Sequence, residues 1–230
     1  MEHAPFDKRG YPVVDAAKGY GEWAATYEET VAVGLDEPLL KRLETQEWRV
    51  AREAADLACG TGRTGAWLKR RGVQAIDGVD ATREMLALAE KKNVYRRLTV
   101  GDVAATGLAA SAYDLCTMSL ADEHLAELGP VYREAARLLR RGGVFLLIGY
   151  HPFFLMNGMP THYHRPGGEA VTIRSYVHLF SEHFAAAREA GLVPADFLEC
   201  TIDEDWLRTK PKWRKYLHWP VSFALTWRRA

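Results

Sequence analysis

The stretch Asp56-Leu57-Ala58-Cys59-Gly60-Thr61-Gly62 decides the fold. An acidic residue and a small residue run into two glycines around a threonine, which makes a strand end and a turn in one. Glycine takes positive φ and has no Cβ, so backbone and ligand can approach closely at such a turn. Helix-forming residues follow at once in Thr64-Gly65-Ala66-Trp67-Leu68-Lys69-Arg70-Arg71. The N–H groups opening that helix point back over the turn and favour an anionic group there. Strand, glycine turn and helix together make a site for a nucleotide-type cofactor.

Two cofactor families compete for the turn. Gly60, Gly62 and Gly65 satisfy the G-x-G-x-x-G spacing of dinucleotide binding, and Asp80, twenty residues after Gly60, matches the acid expected on a ribose hydroxyl. Asp56 favours the other family, because a carboxylate four residues before the first glycine suits a cation better than a pyrophosphate. S-Adenosylmethionine (SAM) carries an ammonium beside its carboxylate. Asp56 is expected to bind the ammonium, directly or through water, while the helix N-terminus takes the carboxylate.

Working outward, strands and helices alternate. Val73 to Val79 reads as a second strand ending at Asp80, followed by a helix from Arg83 to Lys91 that Thr82 can cap. Tyr95 to Val100 reads as a third strand ending in Gly101-Asp102-Val103. Tyr113 to Ser119 is a fourth, left by Leu120-Ala121-Asp122-Glu123-His124-Leu125. A helix from Val131 to Leu139, a Gly142-Gly143 turn and the apolar run Val144 to Ile148 add a fifth strand. Ser181 is placed to cap a helix ending near Ala190 and Gly191. Leu192 to Cys200 and Val221 to Trp227 read as the last two strands, with a helix near Asp205 to Leu217 between them. Such alternation predicts an α/β fold, a doubly wound, mostly parallel seven-stranded sheet with helices on both faces. Ligands bind at the carboxyl ends of the strands in these sheets, where Asp56, Asp80, Asp102 and Ser119 fall. Asp80 is suited to both ribose hydroxyls, Asp102 to an adenine amino group, and Val103 to the adenine ring.

These motifs resemble those of class I, Rossmann-like SAM-dependent methyltransferases of the small-molecule branch. The resemblance rests on the Asp56–Gly62 turn, Asp80, Gly101-Asp102, Ser119–Leu125 and Ala136–Gly143. Tyr20-Gly21-Glu22-Trp23-Ala24-Ala25-Thr26-Tyr27-Glu28 also resembles the aromatic helix that lids SAM in many of these enzymes. It covers roughly residues 20 to 150, and Arg141 departs from the proline usual before the glycine pair. The resemblance implies an antiparallel last strand inserted beside the sixth. It implies SAM as cofactor, S-adenosylhomocysteine (SAH) as product, and a SAM site made by Tyr20, Trp23, Tyr27, Asp56, Ala58, Gly60, Gly62, Asp80, Ala81, Met85, Asp102, Val103, Ser119 and Leu120. The expected activity is methyl transfer to a small-molecule acceptor, with O-methylation ahead of N- or C-methylation. An NAD-dependent oxidoreductase, or a SAM-binding cyclase or regulator that keeps the fold, are the alternatives.

The chain reads as one domain of 230 residues, with residues 1–45 as a helical lid and 151–180 as a cap inserted after the fifth strand. That insertion is rich in aromatic and Met side chains, and loops so long are uncommon unless they are lids or binding loops. Phe153, Phe154, Leu155, Met156 and Met159 either line an acceptor pocket or cover the sheet edge. His124 after the fourth strand and His151 after the fifth are the candidate general bases, since histidine exchanges protons near neutral pH. Asp122 and Glu123 would orient His124, bind a substrate amine, or stand solvated. His162, His164, His178 and His183 lack an accompanying Cys or carboxylate pattern, so no metal is expected.

Thirty basic residues balance thirty acidic ones, so nothing in the overall charge attracts nucleic acid or an anionic membrane. Apolar runs are too short for a membrane span, and the N-terminal residues lack the pattern of a signal peptide. Three scattered cysteines fit a reducing cytoplasm, and the expected assembly is a monomer or homodimer.

Overall fold

The computed structural model describes residues 1–31, 34–43 and 50–230. Ala32, Val33, Glu44 and Thr45 of the expected lid lie outside these described residues. In chain order, β1 (Val13–Val14), α1 (Ala16–Trp23), α2 (Tyr27–Thr30) and α3 (Glu37–Arg42) come first. Then follow β2 (Glu53–Leu57), α4 (Arg63–Arg70), β3 (Ala75–Asp80), α5 (Arg83–Glu90), β4 (Arg97–Val100), β5 (Tyr113–Ser119), α6 (Gly129–Leu138) and β6 (Leu139–Tyr150). The chain ends with α7 (Pro152–Met156), β7 (His162–His164), β8 (Ala170–Ile173), α8 (Phe180–Glu189), β9 (Leu192–Thr201), α9 (Glu204–Thr209) and β10 (Pro220–Arg229).

The described residues form a seven-stranded sheet in the order β4-β3-β2-β5-β6-β10-β9. The first five strands run parallel, and β10 lies antiparallel between β6 and β9. The doubly wound α/β sheet and its inserted last strand are therefore as expected. β2 is alanine-rich and a weak β former, yet it takes the centre because both its faces are covered. Ala55 packs into a core with Tyr132, Phe145 and Trp227, and Ala54 into a second core with Trp67, Leu68 and Ile76.

Several local expectations shift. β3 starts at Ala75 rather than Val73, and β4 at Arg97 rather than Tyr95. Tyr95 leaves the strand line because its ring turns inward, where the hydroxyl donates to Asp56 Oδ2 at 2.7 Å. The Gly142-Gly143 turn is absorbed into β6 as an irregularity: Tyr113 pairs with Leu139 and Leu115 already with Val144. Thr82 stands at the N-cap of α5, but its side chain makes no cap bond; its own N–H donates to Asp80 Oδ1. Ser181 is not a cap. α8 begins two residues earlier, after Leu179, whose N–H donates to the Glu182 carboxylate. The helix expected at 205–217 splits into α9 and a 3-10 segment, Pro211–Tyr216, because Pro211 has no N–H to continue the ladder.

The insertion is built rather than irregular. β7 pairs antiparallel with β8, and β8 pairs parallel with β1, making a three-stranded sheet from distant parts of the sequence. Phe154 is fully buried in a core with Trp206, Leu207 and Val221, so this side chain covers the sheet edge. No helix among the described residues is long and apolar enough to cross a membrane.

Candidate functional site

A cavity of about 420 Å³ opens at the carboxyl ends of β2, β3 and β5, within the size range of small-molecule sites. Its floor is the turn after β2. Ala58, Gly60 and Gly62 there all have left-handed φ values of 52°, 53° and 82°. A Cβ built on Gly60 would meet no atom within 4 Å, so this turn leaves room directly above its backbone. Ala58 and Leu120 both line the cavity, and both are non-glycine residues at positive φ (52° and 54°), a strain of order 1–2 kcal/mol each.

Gly62 and Gly65, which complete the dinucleotide spacing, serve another purpose. A Cβ on either would run into the Tyr95 ring, which also lies against Gly78 of β3. The glycines thus open a channel through which Tyr95 reaches Asp56. The spacing is that of a pyrophosphate loop, but the group it admits is a side chain of the protein.

Asp56 corrects an expectation. It is only 1% exposed, it does not line the cavity, and its two oxygens are taken by Tyr95 Oη and Thr117 Oγ1, each at 2.7 Å. Burial pushes its carboxyl up to about 6, against the two hydroxyls that pull it down. Asp56 ties β2, β5 and the Tyr95 ring together beneath the turn. Gly62 and Trp23 also fall outside the lining. Trp23 packs between Tyr20 and the Tyr163 ring of β7, with stacked geometry to both.

The remaining expected cofactor residues converge on the cavity: Tyr20, Tyr27, Ala58, Gly60, Asp80, Ala81, Met85, Asp102, Val103, Ser119 and Leu120. Asp80 is held by the N–H of Gly60 on Oδ2 and of Thr82 on Oδ1, both at 2.8 Å. Each oxygen keeps a lone pair for a further donor. Burial raises the Asp80 carboxyl above its usual range, with these backbone bonds opposing. Asp102 accepts from Ala104 N–H at 2.8 Å and keeps its second oxygen uncommitted. The buried Ser119 Oγ has no hydrogen-bond partner although the residue lines the cavity. An orphaned hydroxyl, a half-used carboxylate and a turn without Cβ atoms fit a nucleoside cofactor. Arg63 was missed by the sequence reading. It lines the cavity from the first turn of α4, paired with buried Asp36 at 2.9 Å. Its position one residue after the second glycine was the available signal.

The two candidate bases part company. His124 lines the cavity, with Nδ1 2.8 Å from the Arg174 carbonyl and Nε2 2.9 Å from Tyr20 Oη. A carbonyl only accepts, so Nδ1 carries the proton and Nε2 presents its lone pair to the Tyr20 hydroxyl. His151 lies outside the cavity lining, which corrects its assignment as a base. Its Nδ1 accepts from Phe153 N–H as the cap of α7, and its Nε2 sits 2.8 Å from Glu199. Burial lowers its imidazole below the usual value, with Glu199 opposing.

Beside His124, Asp122 and Glu123 are 3% and 1% exposed, so neither is a solvated surface acid. Asp122 Oδ1 and Glu123 Oε2 are buried and receive no hydrogen bond. Burial, then the charge of Glu123, raises the Asp122 carboxyl well above the usual carboxylate range. The histidines at 162 and 164 stack edge to face, with the Arg9 guanidinium 2.9 Å from His162. Among the described residues no three His, Cys, Asp or Glu side chains gather as a metal site.

Residues 55–147 match the family model described as "Methyltransferase domain". An uncharacterised methyltransferase, YcgJ, of Bacillus subtilis is 30% identical over 129 residues, 54% of this chain and 50% of that protein. The chain thus spans half the length of this curated relative. Among solved structures, a SAM-dependent methyltransferase from Mesorhizobium loti superposes with a TM-score of 0.69 at 19% identity, covering 86% of this chain and 99% of that one. The 4+2 cyclase SpnF gives 0.66 at 17% identity, over 96% of this chain and 98% of that one. The match over residues 55–147, the relative aligned over half the chain and the fold of the solved neighbours all support a class I SAM-dependent methyltransferase.

Proposed function

We propose that the protein transfers the methyl group of SAM to the hydroxyl of a small-molecule acceptor. The observation that carries this reading is His124. It stands at the cavity wall beyond the cofactor residues with one ring nitrogen fixed as donor and the other basic. SAM, when bound, supplies an activated methyl. Asp80 and Asp102 take the nucleoside, the first turn of α4 with Arg63 takes the carboxylate, and Tyr20 and Tyr27 present aromatic surface to the cation. Alignment and exclusion of water are then the main work of the protein.

Residues 1–45 and 151–180 serve as lid and cap of a single domain in this reading, joined through β1 and β8. The balanced charge favours a compact acceptor over nucleic acid. The cytoplasm suits a chain whose three cysteines are all free.

Calorimetry with SAM, SAH and NAD, followed by methyl transfer onto a panel of phenols and alcohols, tests the reading. SAM and SAH binding with NAD silent, and a methylated hydroxyl, are the expected results. Methylation confined to amines would replace the O-methyl reading, and SAM binding without turnover on any acceptor would favour a cyclase or regulator. NAD binding alone would return the glycines to a dinucleotide role.

A further inference from the structure

Under the O-methyl reading one proton must leave the acceptor for each methyl delivered, and the lone pair of His124 Nε2 is already occupied. Tyr20 Oη lies on it at 2.9 Å, and both residues line the cavity. An acceptor hydroxyl therefore meets Tyr20 before it can meet the imidazole. Behind the ring, Glu123 Oε1 is 3.5 Å from the same Nε2, in a pocket where the two side chains are 6% and 1% exposed. Thr161 Oγ1, at 3.4 Å, holds that carboxylate from the cap side.

We propose that Tyr20 is a catalytic proton relay: it takes the acceptor's proton on Oη while giving its own to His124 Nε2, with Glu123 positioned to offset the imidazolium that forms. This rests on the methyltransferase reading above. The acceptor O–H breaks as the Tyr20 O–H forms, and the former Tyr20 proton makes the new N–H on His124. The positive charge that enters with SAM thus ends on the ring, and the proton then passes to water. Burial, together with Tyr27, Glu123, Tyr150 and Asp80, raises the Tyr20 phenol well above its ordinary range. A free phenolate is thereby disfavoured, so the two transfers are concerted. Those four groups and His124 are the titratable neighbours facing Tyr20 from α2, the turn after β5, β6 and β3. Glu123 is a positioning residue, because it acts through the imidazole.

The tests are Tyr20→Phe and Glu123→Gln, read in two ways. With a methylated phenol or alcohol in hand, Tyr20→Phe should lower kcat roughly 100-fold, with SAH affinity changed less than about threefold by calorimetry. Glu123→Gln should move the acid limb of the kcat pH profile to lower pH by about one unit, since an opposite charge within 4–6 Å favours the protonated ring. The second readout needs no acceptor. Nitrogen-edited NMR of the SAH complex should show the His124 ring titrating about one unit lower in Glu123→Gln than in the parent. A Tyr20→Phe enzyme within twofold of parental kcat, or a His124 titration unmoved by Glu123→Gln, overturns the relay. Intact SAH binding without any methylated hydroxyl would sink the O-methyl reading and the relay with it, whereas a methylated hydroxyl with Tyr20→Phe unimpaired would sink the relay alone.

Discussion

The cavity has two sides built by different rules. The cofactor side, from β2 to β4, consists of strand ends and the turns that follow them, so each contact group sits within a few residues of a strand. The side proposed for the acceptor joins α1, the turn after β5 and the segment around Arg174, brought together by hydrogen bonds between residues far apart in the chain. Local geometry makes the first side readable and repeatable. Long-range packing makes the second particular to this chain, and that is where a specific acceptor would be chosen.

The largest expected effect probes the first side. Asp80→Ala removes the acceptor that Gly60 and Thr82 aim, and should weaken SAM binding about 100-fold by calorimetry. A loss below threefold would mean that the strand-end rule does not govern this cavity. Gly65→Ala follows. Its Cβ collides with the Tyr95 ring, so the variant should lose about 3 kcal/mol of stability in denaturant titrations. A stable variant with lost cofactor affinity would restore the loop's dinucleotide-style meaning.

Asp56 gives a pH signature on the same side. Its folded carboxyl is raised to about 6, above the unfolded value, so the folded state binds the extra proton. Its stabilising share is complete below about pH 4 and is lost as pH rises to about 6, on the order of 3 kcal/mol. Asp56→Asn should flatten that slope in thermal melts across the window, and an unchanged slope would break the assignment. The smallest effect sharpens the other side. His151→Ala removes the α7 cap and should cost about 1 kcal/mol while leaving kcat intact. A large fall in kcat would return His151 to the acceptor site.

What the sequence disclosed follows the same division. Strand order, the glycine turn and Asp80 were legible because period and turn chemistry are local. Asp56 was assigned to the ligand because its position matched, while the two hydroxyls that bury it come from Tyr95 and Thr117, on segments far along the chain. The sequence places Tyr20 on the cofactor and offers His124 only its chain neighbours Asp122 and Glu123 as partners. Their hydrogen bond depends on how α1 lies over the sheet, which no spacing encodes. The β1–β8 pairing was missed for the same reason, although Val13-Val14 and Ala170–Ile173 are both rich in β-branched residues.

That pairing also sets a schedule for biosynthesis. Val13 and Val14 leave the ribosome 159 residues ahead of their partners Thr172 and Ile173. At ordinary elongation speeds the delay is on the order of ten seconds. Throughout it, the nascent N-terminal helices lack the strand that anchors them. The sheet edge proposed to receive the nucleoside is complete well before its roof can be fastened, so a newly made molecule passes through a stage in which that cavity stands open.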